Sequence, residues 1–285
     1  MIQNIFSIKN SGKHKILTIL GIKFKFKLKN NDKLILKELI NLKSELKEHI
    51  SNEIFIANFI QDMHKKTFTQ FKNCNENKEI VIVATGPTMK DYIPIENAIH
   101  IGVNKAFKND KIKFDYLFTI DNLVNKHYIE DFLNYPAKKF LGTNSAKNGE
   151  HSYVKASTIP LKYNKYPDVY NYVSDYPRNL CYPEITNFGL MDFNSVVFNA
   201  IHFAVYTHPK KIYLVGCDCS NTGYFDNSKQ KSKLPEDKLL KGWKIFKEFQ
   251  KLYYPDIEII SINPVGLKSM FEDIYTEEKF SLEVK

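Results

Sequence analysis

Thr85-Gly86-Pro87-Thr88 closes an unbroken apolar run, Ile80-Val81-Ile82-Val83-Ala84, and leads into helix-compatible residues. A buried parallel strand that feeds a glycine-containing turn and then a helix N-terminus is how α/β proteins build anion sites. Backbone N–H groups and the helix dipole converge there on a phosphate. Other apolar runs end in the same manner. Asn104 comes after Ile101-Gly102-Val103, Asp121 and Asn122 after Leu117-Phe118-Thr119-Ile120, and Gly216, Asp218 and Ser220 after Ile212-Tyr213-Leu214-Val215. Small, amide and carboxylate side chains at successive strand ends suit a ribose, a base edge and a phosphate. Each is also an ordinary turn former; their coincidence is what indicates a nucleotide site.

Other groups could complete such a site. Asn194-Ser195 opens a helical pattern, where Asn194 is the expected N-cap and the helix N-terminus can hold a phosphate or carboxylate. Tyr224, after Gly223, can donate a hydrogen bond to a phosphate or simply pack on the surface. Among the histidines, His202 sits inside an apolar helix and reads as a core residue, whereas His151 lies in a long aperiodic stretch and has the freedom to reach a site as a general base. Cys217-Asp218-Cys219 places two thiols close together, but no second Cys/His pair lies near enough to complete a tetrahedral zinc set. No metal or cofactor is therefore expected. G-x-G-x-x-G and G-x-x-x-x-G-K-[ST] are both absent, which excludes a Rossmann dinucleotide enzyme and a P-loop NTPase. No Asp-x-Asp stands after a strand, which argues against a metal-dependent nucleotide-sugar site.

Periodicity gives the elements that must position these residues. Strands are expected at 79–84, 98–103, 115–120, 138–142, 211–216 and 257–262, and helices at 88–93, 123–133, 194–207 and 236–253. That alternation predicts an α/β, Rossmann-like fold, a mostly parallel sheet with helices on both faces. Residues 143–192, rich in Tyr, Asn and Pro, read as an insertion that serves as a lid or substrate-binding segment. Residues 73–285 form the expected nucleotide-binding domain, and 1–72 an appendage. The appendage opens with a β-hairpin over 14–29, where Lys23, Lys25, Lys27 and Lys29 alternate with apolar residues. Those lysines either protect a sheet edge or touch an anionic membrane, where each contributes about 1 kcal/mol. An amphipathic helix comes next over 32–50, suited to packing on the domain or on a second subunit but short for a coiled coil.

Composition narrows the partners. Lys and Arg total 41 against 32 Asp and Glu, a formal charge of +9, and residues 1–31 hold seven Lys and no acidic residue. Arg178 is the only arginine, which argues against sequence-specific nucleic-acid binding. Four cysteines in so long a chain make no disulfide framework, Met1–Leu20 is too interrupted by Lys and His for a signal peptide, and no apolar run approaches the roughly 20 residues of a membrane span. A cytoplasmic protein is expected, either free or peripheral at the inner membrane.

Taken in order, Val83-Ala84-Thr85-Gly86-Pro87-Thr88, Gly102-Val103-Asn104, Phe118-Thr119-Ile120-Asp121-Asn122, Asn194-Ser195 and Ile212-Tyr213-Leu214-Val215-Gly216-Cys217-Asp218 resemble the Campylobacter-type sialyltransferases of glycosyltransferase family 42. They also resemble the related Maf flagellin-glycosylation and pterin-pyrophosphokinase-like proteins. The resemblance covers roughly residues 79–262, and the hairpin resembles the opening of bacterial surface-polysaccharide glycosyltransferases. It implies a GT-A-like variant fold and metal-independent transfer of a nonulosonic acid such as sialic acid from a CMP-sugar donor to a glycan acceptor, in lipopolysaccharide, lipooligosaccharide or capsule synthesis. It implies that Thr85, Gly86, Pro87 and Thr88 hold the phosphate or ribose region, that Asn104 and Asn122 contact the CMP-sugar with Asp121 and Gly216 beside them, and that Asn194-Ser195 meets the carboxylate or cytidine. Tyr224 would stabilise the leaving phosphate. Two departures stand out: Phe193 occupies the place of the family's Arg, and no His occurs after His208, so the acceptor's proton would fall to His151 or Asp218. A phosphotransferase of the pterin-pyrophosphokinase-like kind, or a non-catalytic glycan- or membrane-associated relative, are the alternatives.

Overall fold

The structure, a computed structural model, describes residues 6–11, 14–19, 22–26, 32–120, 127–144, 146–148, 151–153, 163, 165–174, 180–228 and 236–276. The chain forms two compact units, Met1–Asn58 and Phe59–Lys285. Their boundary falls inside a helix, whereas the sequence reading divides the chain after residue 72.

In the first unit the expected hairpin is part of a three-stranded antiparallel sheet, β1 (Phe6–Ser11), β2 (His14–Ile19) and β3 (Ile22–Phe26). The register Lys9↔Ile16↔Lys25 places Lys9, Lys25 and, two residues on, Lys23 on one face, all three exposed. Lys27 and Lys29 lie outside the described residues. Helix α1 (Asp32–Phe68) then runs for 37 residues, well past the expected end at Ile50. Ser51-Asn52-Glu53 reads as a stop, yet no Gly or Pro occurs anywhere in the helix to enforce one.

The second unit is built on one sheet. Its strands are β4 (Glu79–Val83), β5 (Ile99–Val103), β6 (Tyr116–Thr119), β7 (Lys138–Asn144), β10 (Val169–Ser174), β11 (Lys211–Val215), β12 (Glu258–Ile262) and β13 (Glu272–Ile274). They lie in the order β10-β7-β6-β5-β4-β11-β12-β13, with every pairing parallel. A separate antiparallel pair joins β8 (Ala146–Asn148) to β9 (His151–Tyr153). Segment 143–192 is thus more than an insertion, because it supplies the edge strand β10 and buries Ile185, Leu190 and Met191.

Both faces of the sheet are covered, as a parallel sheet requires. Period-two alternation sends Ile80 and Ile82 of β4, with Ala84 just after it, to one core and Val81 and Val83 to the other. On the first face lie the last turns of α1, helix α3 (Val196–Tyr206), buried along its whole length, and helix α4 (Glu236–Tyr253) through Leu239, Trp243 and Phe246. An aromatic stack runs through this core: Phe118 and Phe140 lie 4.4 Å apart and nearly parallel, and Phe203 sits 5.0 Å from Phe140. On the second face lie helix α2 (Ile129–Asn134) and two 3-10 turns, Pro87–Asp91 and Asn104–Lys108, through Met89, Phe107, Phe132 and Leu133. Among the described residues no helix is long and apolar enough to cross a membrane.

Candidate functional site

The chain leaves β4 toward β5, β6 and β7 on one side, and β11 returns on the other. The carboxyl ends of β4 and β11 therefore form the topological switch point, where ligands enter sheets of this kind. Both ends are shaped by glycine. Gly216 has φ +64°, in the left-handed region, and its carbonyl accepts the Gly86 N–H at 2.9 Å. A Cβ on Gly86 would lie 2.4 Å from that carbonyl oxygen and 2.5 Å from Asp218 Oδ2, so the two strand ends touch only because Gly86 carries no side chain.

The turn Thr85–Thr88 differs from the expected anion cradle in its contents. After Gly86 the chain makes a five-residue 3-10 turn, too short to bring a helix dipole to bear, and the anion received there is the chain's own. Asp218 is buried, its Oδ2 accepts the Thr88 N–H at 3.0 Å, and its Oδ1 accepts the Thr88 hydroxyl. Both carboxylate oxygens are engaged, so Asp218 shapes the turn instead of waiting as a proton acceptor.

A loop straps this arrangement from above. The Phe225 N–H donates to Thr85 O at 3.0 Å, and the Phe225 ring packs into the second-face core. Lys105, next to Asn104, reaches across with Nζ 2.8 Å and 3.0 Å from the two Asp226 oxygens, 2.5 Å from Ser228 Oγ, and 4.0 Å above the Tyr224 ring. Burial pushes the Asp226 carboxyl up, but the Lys105 and Ser228 donors outweigh it and hold the group below its usual range. Asn104 itself has φ +50° and takes the Thr119 hydroxyl on Oδ1 at 3.1 Å, which fixes the orientation of its amide. The structure thus brings Thr85, Gly86, Pro87, Thr88, Asn104, Gly216, Asp218 and Tyr224 together at one edge of the sheet. Sequence reasoning misses Lys105 and Asp226. Their only signals are a lysine directly after a strand-end Asn and an acid two residues after Tyr224.

Asn194 and Ser195 stand at the start of α3. The cap is Ser195, whose Oγ accepts the Val197 N–H at 3.4 Å; Asn194 is exposed at φ +67° and turns the chain into the helix, a correction to its expected role. The far end of α3 meets the amino end of β4, since Tyr206 O and Thr207 O accept from Asn73 and Asn75 and Lys210 N–H donates to Lys78 O. The helix N-terminus therefore points toward the carboxyl side of the sheet, where the strand-end residues lie. His151 pairs through its backbone strand with Asn148. The side chain of His151, and all of Asp121 and Asn122, lie outside the described residues.

Other candidates resolve into packing. His202 has both ring nitrogens engaged in the core, as expected. Burial pushes the Cys217 thiol well above its ordinary range and Cys219 to about 11, which disfavours the thiolates a metal would need. Among the described residues no group of three or more His, Cys, Asp or Glu is placed to hold a metal ion.

No family model matches this chain, and no curated protein matches it. Among solved structures, the sialyltransferase CstII from Campylobacter jejuni in complex with the substrate analogue CMP-3FNeuAc is similar to 65% of this chain and 80% of its own, with 18% identity and a TM-score of 0.40. The complex of the same enzyme with cytidine 5'-monophosphate is similar over 65% of this chain and 79% of its own, at 18% identity and a TM-score of 0.42.

Proposed function

We propose that this chain is a glycosyltransferase that takes a CMP-activated sugar, of the sialic-acid kind, and transfers it to a glycan hydroxyl in bacterial surface-polysaccharide synthesis. The observation that carries the reading is the convergence at the switch point: the Thr85–Thr88 turn, Asn104 and the Tyr224 strap meet beside the ends of β4, β5 and β11. That set offers the Asn104 amide and the Tyr224 hydroxyl to a nucleoside monophosphate, beside a turn whose shape Asp218 fixes, and the sequence resemblance points to the same class.

In the reaction, the acceptor oxygen bonds to the anomeric carbon while the bond from that carbon to the CMP phosphate breaks. Negative charge then grows on the phosphate, and donors placed there in advance stabilise it without reorganising. Tyr224 is the donor we assign to that phosphate. Lys105, held against the Tyr224 ring, keeps the strap in place and adds positive charge next to the leaving group. The acceptor's proton goes to a base, which Asp218 does not supply while both of its oxygens serve Thr88; His151 is our candidate. The lysine face of the first unit is assigned to the membrane that carries the acceptor.

Thermal-shift titration tests the donor. CMP at about a hundred times its Kd should stabilise the fold by roughly 2.7 kcal/mol, and UDP or ATP should do less. A shift with ATP and Mg²⁺ alone would instead favour a phosphotransferase, and no shift with any nucleotide a non-catalytic relative. Lys105→Ala should lower kcat about tenfold or more with little change in overall stability, and Lys105→Arg should recover part of the loss. Unchanged kcat in Lys105→Ala would remove Lys105 from the mechanism.

A further inference from the structure

The first unit's part of α1 carries an apolar seam. Ile35, Leu39, Leu42 and Leu46 succeed one another at spacings of four, three and four residues, an a/d pattern of less than two heptads that is short for a coiled coil but aligns one stripe for a paired helix. Leu42 is 57% and Leu46 43% exposed, although both are large aliphatic side chains. Around the rest of the helix Lys37, Asn41, Ser44, Glu48 and Ser51 are exposed, together with the isolated apolar residues Ile40, Ile54 and Phe55, which make no a/d series. Beyond Leu46 the seam positions are His49 and Glu53, and the next two, Ile56 and Ile60, are buried within the chain. The exposed seam is therefore bounded on its C-terminal side.

We propose that this seam is an interface between two copies of the chain, paired in parallel along α1. Charge decides the partner and its direction. Glu38 and Glu45 each precede an a position and Lys43 comes directly after a d position. In a parallel pair the residue before a on one helix faces the residue after d five positions later on the other, so Glu38 meets Lys43 of the second copy, twice by symmetry. An antiparallel pair would set Glu38 and Glu45 against their own equivalents. An anionic bilayer is the poorer occupant, because both glutamates line the seam. α1 continues to Phe68, whose side chain is fully buried in the second unit.

Sedimentation equilibrium on the full chain tests this. The wild type should form a dimer that Leu42→Asp/Leu46→Asp converts to monomer, with Trp243 fluorescence still reporting cooperative unfolding at the same denaturant concentration. Glu38→Lys and Lys43→Glu should each weaken the dimer about tenfold, and the two together should restore it. A monomeric wild type at high micromolar concentration overturns the proposal. So does a dimer indifferent to the leucine changes, or a double charge swap that fails to restore pairing. Co-pelleting with phosphatidylglycerol vesicles, lost in the leucine variant of a monomeric protein, would assign the seam to lipid and equally overturn it. None of these readings depends on the proposed activity.

Discussion

Acidifying the folded protein from about pH 6.5 to pH 4 should remove about 3 kcal/mol of stability at each of two buried histidines, His64 and His202. Both are fully buried and use both ring nitrogens. His64 Nδ1 donates to Ile185 O and its Nε2 accepts the Val173 N–H, each at 2.8 Å. His202 Nε2 donates to Tyr182 O at 2.7 Å and its Nδ1 accepts the Met191 N–H at 3.0 Å. A proton added to either ring would turn the accepting nitrogen toward an N–H. Burial chiefly, and for His202 the neighbouring His64 as well, pushes both down to about 4. Because the folded values lie below the unfolded one, the unfolded chain binds more protons in this window. The stabilisation is complete above about pH 6.5 and is lost as the pH falls toward 4. The two rings pin segment 182–191 to α1 and α3, so that segment should loosen first. Histidine ring NMR of the folded protein checks the cause directly. Midpoints near 6.5 for these two rings would refute it, whereas resonances unmoved down to about pH 5 are expected.

Gly86→Ala should cost about 3 kcal/mol and abolish the nucleotide-induced thermal shift. The new Cβ would fall well inside contact distance of a backbone oxygen, Gly216 O, which no side-chain rotation can move aside. Relief requires β4 and β11 to separate at their ends, which breaks the Gly86–Gly216 hydrogen bond and draws Asp218 away from Thr88. A buried N–H would then lack its acceptor, at about 1–3 kcal/mol. Urea unfolding followed by Trp243 fluorescence, with a CMP titration beside it, measures both effects. A loss under ~0.5 kcal/mol with CMP stabilisation intact would show that the strand ends have room to spare.

The central part of the fold is legible in the sequence because its strands are apolar on both faces. Ile80–Val83, Ile101–Val103 and Ile212–Val215 lie in the interior of the sheet, and a near-continuous apolar run, fully β-branched in Ile80–Val83, is what that environment selects. The edges are not legible. β10 reads Val-Tyr-Asn-Tyr-Val-Ser, with polar and aromatic residues mixed, and β13 has three residues, too few for any period. The described strand-end residues do gather at one edge of the sheet, but their partners cannot be read in advance. Asp218 and Thr88 stand 130 residues apart, and nothing local marks the first as the anion for the second. Lys105 escapes a sequence reading for a related reason: its purpose emerges only when the loop from beyond β11 lies over it.

The strand order also sets a timetable. β4 is central and is synthesised first among the strands of the sheet, and Glu79 on its far side must wait for Lys211. As the chain leaves the ribosome, β4 to β7 can pair in sequence, but one rim of β4 stays open until β11 emerges. That rim is apolar, with unpaired main-chain groups, and is the kind of edge that recruits other chains. Folding should be slow for the chain's length, dominated by the long-range closure, and expression from truncated genes ending before Val215 should give aggregates instead of soluble half-domains.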